Sequence, residues 1–344
     1  MKVKQVSEEL GVRYVLEGSV QRSGDRLRIT AQLIDALTGN HLWAERYDRD
    51  LKDLFALQDE IAIKILTGVQ VKLQGGDVSR SEKYAEKYYR GKQGLDCYLK
   101  LTQAMDHYSR LNIEDNKLAR RGVEEAIAMC PDNPMGYLDL GWISFYDYIL
   151  GNTKSPQETI EKATELAPKT LALDDSIGDA HSLLGWLYIC KREYDKAIAE
   201  GERAAALNPG EYKVLHNYAC FLTFAGRPEE AILLFQKAIR LNPFGVAATY
   251  VNFGHALRMT GRFEEAVSAY KKAIQIAPDR VDSHSNLAAV YSMMGLEKEA
   301  RAEAAEVLRR NPKFSVDSSA KRLLYKDQSE IDKVANAFRK AGLK

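Results

Sequence analysis

Six histidines are the residues of this sequence best suited to bind a metal ion or transfer a proton. They are His41, His107, His181, His216, His255 and His284. A helical zinc site needs two histidines one turn apart beside a glutamate, and no His-Glu-x-x-His motif is present. The serines form no Gly-x-Ser-x-Gly turn, and the glycines match neither phosphate-binding fingerprint. We therefore expect no metal, no cofactor and no enzymatic site, and we interpret His181 and His284 as core residues.

Four cysteines could form a metal site, a redox pair or disulfide bridges. They are Cys97, Cys130, Cys190 and Cys220, and none forms a Cys-x-x-Cys pair. The spacing therefore argues against zinc ribbons and thioredoxin-type sites. In a chain of this length we expect reduced thiols in the core, which favours a cytoplasmic location; disulfide bridges are the alternative.

Composition restricts the class of protein further. The chain has 344 residues, of which 45% are hydrophobic and 28% are charged. These values are typical of a soluble globular protein with about two domains. The 49 basic and 48 acidic residues nearly cancel, and the longest apolar stretches are too short to cross a bilayer. Residues 1–9 do not resemble a signal peptide. We expect no nucleic-acid ligand and no membrane insertion.

Evenly spaced alanines and prolines organise the second half of the chain. Alanines recur in steps of 34, 35 and 34 residues at Ala197, Ala231, Ala266 and Ala300. Prolines recur in the same steps at Pro209, Pro243, Pro278 and Pro312. Because two columns share one period, including its single-residue slip, the sequence indicates an internal repeat.

Each period predicts a pair of packed helices, because its apolar and small residues follow spacings of three and four. Glycine or alanine at the eighth and twentieth repeat positions lets the two helices approach closely. Proline ends the second helix, since it lacks an amide donor. Gly226, Gly261 and Gly295 lie at the predicted turn between the helices, where glycine easily adopts a positive φ.

These helix pairs resemble the tetratricopeptide repeat family. The segments that carry the resemblance are AHSLLGWLYICKREYDKAIAEGERAAALNP and NFGHALRMTGRFEEAVSAYKKAIQIAPD. The match is specific over residues 178–314 and weaker in two earlier units. It implies a mainly α protein, an α-solenoid of six repeats at about 95–131, 132–177, 178–211, 212–246, 247–280 and 281–314. Residues 315–344 are predicted to form capping helices with a more polar surface.

The two earlier units depart from the regular pattern. In the first, Asn112 and Asp115 are typical of a helix N-cap. The second is too long for an ordinary repeat, and Pro168 falls inside its expected second helix. Because proline removes a donor and clashes with the preceding turn, Pro168 should either kink or split that helix. Both alternatives stay open.

Alternating apolar residues predict a small sheet before the repeats. The predicted strands are residues 14–20, 27–33 and 41–47, with Gly24 and Gly39 in the turns between them. A helix should follow, with an apolar stripe at Leu57, Ile61, Ile65 and Val69. Residues 74–77 are the predicted linker.

This segment resembles the TolB amino-terminal and FlgO-like domains that precede such repeats in bacterial class III adenylate cyclases and membrane-bound regulators. Residues 4–70 carry the resemblance, in ELGVRYVLEGSVQRSGDRLRITAQLIDALTGNHLWAERYDRDLKDLFALQDEIA. It implies a small α/β domain with an antiparallel three-stranded sheet over residues 1–73, followed by a linker and helix over residues 74–94. Such domains usually have a further strand and helix upstream, so one sheet edge should be unprotected. A homodimer through that edge is the resulting hypothesis.

In the tetratricopeptide family, the first helices line a concave groove that binds other polypeptides. Transferred to this sequence, the resemblance gives as candidate groove residues Asn217, Asn252, Asn286, His216, His255, Arg258, Trp186 and Trp142. The three asparagines share one repeat position, and because an amide both donates and accepts, they could bind an extended peptide of any sequence. The alternative is that each asparagine bonds its own loop. The tryptophans could be apolar anchors or core residues.

We interpret the chain as a non-enzymatic scaffold that binds a peptide or partner protein in bacterial signalling or assembly. Two alternatives stay open. One is a self-assembling structural scaffold, and the other is a detached regulatory portion of a nucleotide cyclase-type signalling protein. A cytoplasmic location is expected, and the relatives leave a periplasmic one open.

Overall fold

A computed structural model describes residues 14–36, 39–50, 61, 84, 87–110, 112–149, 151–242 and 245–344. The chain divides into two compact units, Met1–Tyr146 and Asp147–Lys344, and each is described by itself. The helix predicted around Leu57, Ile65 and Val69 and the linker at residues 74–77 lie outside the described residues. Pro243 of the proline column lies outside them too.

A three-stranded antiparallel sheet forms the start of the first unit. Its strands, neighbours in this order, are β1 (Tyr14–Ser23), β2 (Arg26–Asp35) and β3 (Asn40–Asp50). Gly24 has a φ of 61° in the turn between β1 and β2, a backbone region that favours glycine. The buried side chains of the central strand include Leu27, Leu33 and Ile34. The predicted antiparallel three-stranded sheet is confirmed.

Between Gly91 and Ile149 the structure describes three helices. They are α1 (Gly91–Ser109), α2 (Ile113–Met129) and α3 (Pro134–Ile149). α2 begins as predicted, because the Asn112 side-chain oxygen accepts from the Asp115 amide at 3.0 Å. α1 and α2 pack against each other with Leu101, Ala119 and Val123 buried in their shared core. These residues form a helix pair ahead of the regular repeats.

In the second unit, α4 (Pro156–Leu173) precedes the regular repeats. Pro168 lies inside this helix, which continues to Leu173, so the proline does not split it. Ile160, Ala163 and Ala167 are among its buried residues.

Four regular helix pairs follow. The first helices are α5 (Gly178–Cys190), α7 (Tyr212–Phe224), α9 (Ala247–Met259) and α11 (Val281–Met293). The second helices are α6 (Tyr194–Leu207), α8 (Pro228–Leu241), α10 (Phe263–Ile276) and α12 (Glu297–Arg310). Each first helix packs against its own second helix, and α5, α7 and α9 also pack against the first helix of the next repeat. The predicted helical solenoid is confirmed.

Small residues allow these helices to approach closely. A methyl group at Gly185 would lie 2.2 Å from the Phe221 ring, and one at Gly254 would lie 2.5 Å from the Tyr270 ring. Because both distances are far below van der Waals contact, any larger side chain would force the helices apart. The alanine column is fully buried for the same reason, at Ala197, Ala231, Ala266 and Ala300.

Two helices end the chain, α13 (Val316–Lys321) and α14 (Gln328–Lys340). They pack against each other, and the Val316 amide donates to the Lys344 carbonyl at 2.8 Å. α14 also packs against α11, a first helix, and buries Ile331, Val334 and Phe338. No helix among the residues described above is long and apolar enough to cross a membrane.

Candidate binding surface

The connection between α13 and α14 lies on the first helices of earlier repeats. We call this non-helical segment, residues 322–327, the strap. The Lys326 amide donates to the Phe224 carbonyl at the end of α7, at 2.8 Å. The Tyr194 hydroxyl at the start of α6 donates to the Leu324 carbonyl at 3.2 Å. The strap is therefore bound through main-chain atoms, which every polypeptide offers.

Arg192 lies in the turn between the two helices of its repeat and binds the strap. In the next three repeats a glycine occupies the same turn position: Gly226, Gly261 and Gly295, with φ values of 86°, 76° and 77°. Arg192 has a φ of 61°, and within the described ranges it is the only non-glycine residue with a positive φ. Its guanidinium donates to the Tyr325 carbonyl at 2.9 Å and to the Leu323 carbonyl at 3.0 Å. Since a left-handed backbone costs an L-residue about 1–2 kcal/mol, these hydrogen bonds offset a local strain.

The Tyr325 side chain of the strap is buried in a pocket of the repeats, with 2% of its surface exposed. Its ring centroid lies 5.4 Å from that of Phe224 and 6.3 Å from that of His255. The Arg258 guanidinium lies 5.6 Å from the ring centroid and donates to the hydroxyl at 3.2 Å. The pocket therefore recognises both the face of an aromatic ring and its hydroxyl group.

Arg258 also forms a buried ion pair with Glu330 at the start of α14. The Nη1 and Oε2 atoms are 3.2 Å apart, and the two side chains are 2% and 12% exposed. The Nε atom of Arg258 is buried without an acceptor among the described residues. One arginine thus binds a phenol and a carboxylate, and its buried Nε atom is used by neither group.

The three predicted asparagines differ in their contacts. The Asn217 side-chain oxygen accepts from the Trp186 indole nitrogen at 3.0 Å. The Asn286 amide donates to the Asp282 carbonyl of its own helix at 2.8 Å. Asn252 is half-buried, and we find no hydrogen bond from its side chain to any residue that the structure describes. Peptide binding by all three stays a prediction, and Asn252 is the member whose amide is available.

The two predicted tryptophans lie in different units. Trp186 on α5 packs edge-on against Phe221 and Phe224, with ring centroids 5.4 Å and 5.8 Å apart. Trp142 on α3 is buried and packs edge-on against Phe145. Trp186 therefore borders the end of α7 that carries the strap, whereas Trp142 contributes to packing within the first unit.

The two predicted histidines are held neutral beside the groove. Burial lowers the pKa of His216 to about 4, and burial together with the charge of Arg258 lowers the pKa of His255 to about 3. The His216 Nε2 atom lies 3.6 Å from the Cys220 sulfur, and burial raises the pKa of that thiol well above its ordinary value. Because the imidazole and the thiol both stay uncharged near neutral pH, this pair does not resemble an activated cysteine nucleophile.

The remaining polar clusters of the second unit have structural contacts. His181 contacts Glu200 and His284 contacts Glu303, each with Nδ1 and Oε2 2.6 Å apart. Both pairs join a first helix to its second helix at the same repeat positions. Across the described ranges, no group of three or more His, Cys, Asp and Glu residues could hold a metal ion. What the surface offers chemically is recognition of main-chain carbonyls, an aromatic ring and a carboxylate.

Sequence reasoning missed the residues that hold the strap, namely Arg192, Tyr194, Tyr325 and Glu330. Arg192 had a readable signal, because an arginine stands in a column of turn glycines. Tyr325 and Glu330 lie in a polar segment without repeat periodicity, and nothing in their spacing indicates a contact with Arg258.

The fold and this surface together define a helical repeat protein whose own strap lies on its first helices. Two family models match the chain: "Tetratricopeptide repeat" at residues 212–244 and "TPR repeat" at residues 254–295. The chain therefore contains tetratricopeptide repeats over these residues.

The chain is similar to part of a curated relative, "Putative adenylate cyclase 3" of Rhizobium meliloti (strain 1021). The two are 36% identical over 195 residues, which is 57% of this chain and 32% of the relative. The chain thus matches about a third of the relative's length.

A solved structure shows the same fold at low sequence identity. A chain of the APC/C hetero-tetramer Cut9-Hcn1 is 18% identical, with a TM-score of 0.55, and the match covers 79% of this chain and 54% of that one. TTC0263, a thermophilic TPR protein of Thermus thermophilus, is 23% identical with a TM-score of 0.44, over 60% of this chain and 99% of that one.

Proposed function

We propose that the chain is a non-catalytic scaffold whose first helices bind an extended segment of a partner protein. The supporting observation is the strap, which occupies this surface through four hydrogen bonds to its main chain. Groups that bind main-chain carbonyls and amides accept many sequences, and side-chain pockets then provide specificity.

The proposed surface combines the strap pocket with the first-helix residues that the sequence indicates. They are Trp186, His216, Asn217, Asn252, His255, Arg258 and Asn286. Because Asn252 has an available amide, it is the residue that we expect to contact a partner directly. Asn217 and Asn286 already hydrogen-bond within the chain, so they would act by holding Trp186 and α11 in place.

The test is binding of a purified partner by matched variants. Affinity capture with mass spectrometry would first supply the partner, and its dissociation constant would then be measured by calorimetry. We expect Asn252→Ala to weaken binding by about threefold to tenfold, the value of one net hydrogen bond. Leu233→Ala is the control, because Leu233 is 67% exposed and lies on the second helix α8, whereas the proposed surface belongs to the first helices. Weaker binding by the control and unchanged binding by Asn252→Ala would refute the proposal.

A regulatory role in nucleotide cyclase signalling is a second candidate function. Its support is the 36% identity to "Putative adenylate cyclase 3". The measurement is the rate of cyclic AMP formation by the catalytic domain of that relative, with and without this chain. An unchanged rate at saturating chain concentration would exclude the role for that enzyme.

Self-association through the sheet is a third candidate. Within the described residues β1 is an edge strand, and its Leu16 and Val20 side chains are 49% and 67% exposed. An exposed edge strand with apolar residues favours pairing with another chain. Light scattering should show a mass that rises with concentration for the wild type and less so for Val20→Lys. A monomeric mass throughout would refute the dimer.

A further inference from the structure

The strap lies across the surface that we propose for partner binding, and this inference rests on that proposed function. We propose that the strap is a displaceable occupant. The surface beneath it binds partner segments of the same chemistry: two hydrophobic residues, then a tyrosine, then a carboxylate five residues after the tyrosine. In the chain itself these groups are Leu323, Leu324, Tyr325 and Glu330.

The turn at Arg192 is the first argument, because it is built for a main-chain ligand. A glycine there would adopt the positive φ without strain, as three later repeats show. Arg192 adopts the positive φ at a cost in backbone strain, and its guanidinium binds two carbonyls of the strap. Nothing in these two contacts depends on the side chains of the occupant, so a partner segment can make them equally well.

The donors of Arg258 are the second argument, because the strap does not use all of them. Nη2 binds the Tyr325 hydroxyl and Nη1 binds Glu330, whereas the buried Nε has no acceptor among the residues that the structure describes. A buried donor without a partner costs about 1–3 kcal/mol. A partner carboxylate placed to accept from both Nε and Nη would form the bidentate pair that arginine favours. The strap is therefore not the best ligand that this pocket can hold.

The attachment of the strap is the third argument. Lys326, Asp327, Gln328 and Ser329 are all exposed, so the chain between the tyrosine and the carboxylate is open to solvent. α14 packs on α11 and buries Val334 and Phe338 beyond its first turn, which keeps the strap and Glu330 close to the pocket when they detach from Arg258. A short tether gives an effective concentration of about millimolar, so a separate peptide competes poorly with the intact strap.

The experiment uses the full chain and a fluorescein-labelled peptide of residues 322–333, RLLYKDQSEIDK. The double variant Tyr325→Ala/Glu330→Gln removes the side-chain contact of the strap and the carboxylate contact of α14, and it substitutes no residue of the pocket itself. We expect this variant to bind the peptide at least tenfold more tightly than the wild type does. Lys298→Ala, an exposed change on α12, should match the wild type. Adding Arg192→Gly to the double variant should weaken peptide binding, because the clamp on the carbonyls is lost.

A second peptide tests the chemistry of recognition. In it, the tyrosine is replaced by alanine and the carboxylate by glutamine, and we expect at least tenfold weaker binding to the double variant. Equal binding of the two peptides would refute the assigned ligand chemistry. A double variant that keeps wild-type helicity and binds the first peptide no more tightly would show that the strap is a fixed part of the fold.

Hydrogen exchange on the wild type decides the question if the double variant does not fold. The Lys326 amide is bonded to Phe224, so its exchange reports detachment of the strap. Millimolar peptide should accelerate exchange in residues 322–327 and leave α9 protected. Unchanged exchange would overturn the inference. Partner binding that depends on Asn252 would stand even then, so failure of this inference is distinguishable from failure of the proposed function.

Discussion

The second unit contains the same ion pair, arginine with glutamate, in two different environments. At the starts of second helices the partners are three residues apart and exposed, in Arg227–Glu230 and Arg262–Glu265. Under the strap, Arg258 and Glu330 are 72 positions apart and almost completely buried. The exposed pairs arise inside a repeat, whereas the buried pair joins the repeats to the end of the chain.

The difference shows which features of the sequence build the scaffold and which give it a function. Exposed pairs contribute little to stability, because water screens both charges. A buried pair leaves an uncompensated charge when one partner is removed. The turns between the helices show the same contrast, since the three glycines only allow a positive φ, whereas Arg192 also binds the strap. Departures from the repeat pattern therefore mark the candidate binding surface.

The largest effect should come from removing one partner of the buried pair. Arg258→Ala leaves Glu330 with its contact to Lys333 but without its buried cation, and it leaves Tyr325 without its hydrogen-bond donor. Because Lys333 still compensates part of the charge, we expect the free energy of unfolding to fall by about 3 kcal/mol, the lower end for a broken buried pair. Arg262→Ala, four residues later in an exposed pair, should lower it far less, because water already screens both charges. Urea denaturation followed by circular dichroism measures both values. Equal losses would remove the distinction between the two environments.

A fall in pH should lower stability first through two buried histidines and only at lower pH through the exposed ion pairs. The pKa values of His216 and His255 are about 4 and about 3 in the folded chain. As the pH falls through about 6.5 the unfolded chain takes up these protons first, so stability is constant above about pH 7 and declines below it. Each histidine should contribute a loss of about 2 kcal/mol between pH 7 and pH 5.

The exposed arginine–glutamate pairs should affect stability in a lower pH range than the buried histidines do. Arg227 and Arg262 lower the pKa values of Glu230 and Glu265, so the contribution of these carboxylates is lost only as the pH falls below about 4.5. Thermal unfolding of His255→Gln should therefore show a shallower slope between pH 7 and pH 5 than the wild type does. A slope that the substitution leaves unchanged would contradict the buried, neutral state of His255.

The repeat scaffold was predictable because its signals are local. The alanine column, the turn glycines and the Asn112 cap each act within one helix pair, so the spacing of residues predicts their contacts. The antiparallel sheet was predictable for the same reason, since its strands follow one another with short turns.

The strap was not predictable, because its contacts join residues about 70 to 130 positions apart. No periodicity connects Tyr325 or Glu330 to Arg258, and a buried arginine cannot be told from a groove residue by its repeat position alone. The one readable signal was Arg192 in a glycine column. The role of Arg192 was not predictable from this signal, because only the structure shows which carbonyls its guanidinium binds.

The smallest effect should come from exchanging residues between the two kinds of turn. Gly226→Arg places a side chain on a left-handed backbone with no strap carbonyl to bind, so it should lower the free energy of unfolding by about 1–2 kcal/mol. Arg192→Gly relieves the same strain and loses two hydrogen bonds to the strap. Since these terms oppose each other, we expect a net change below about 1 kcal/mol together with faster hydrogen exchange at Lys326. If Arg192→Gly instead destabilised the chain as much as Arg258→Ala does, Arg192 would belong to the scaffold, and the contrast between the turns would fail.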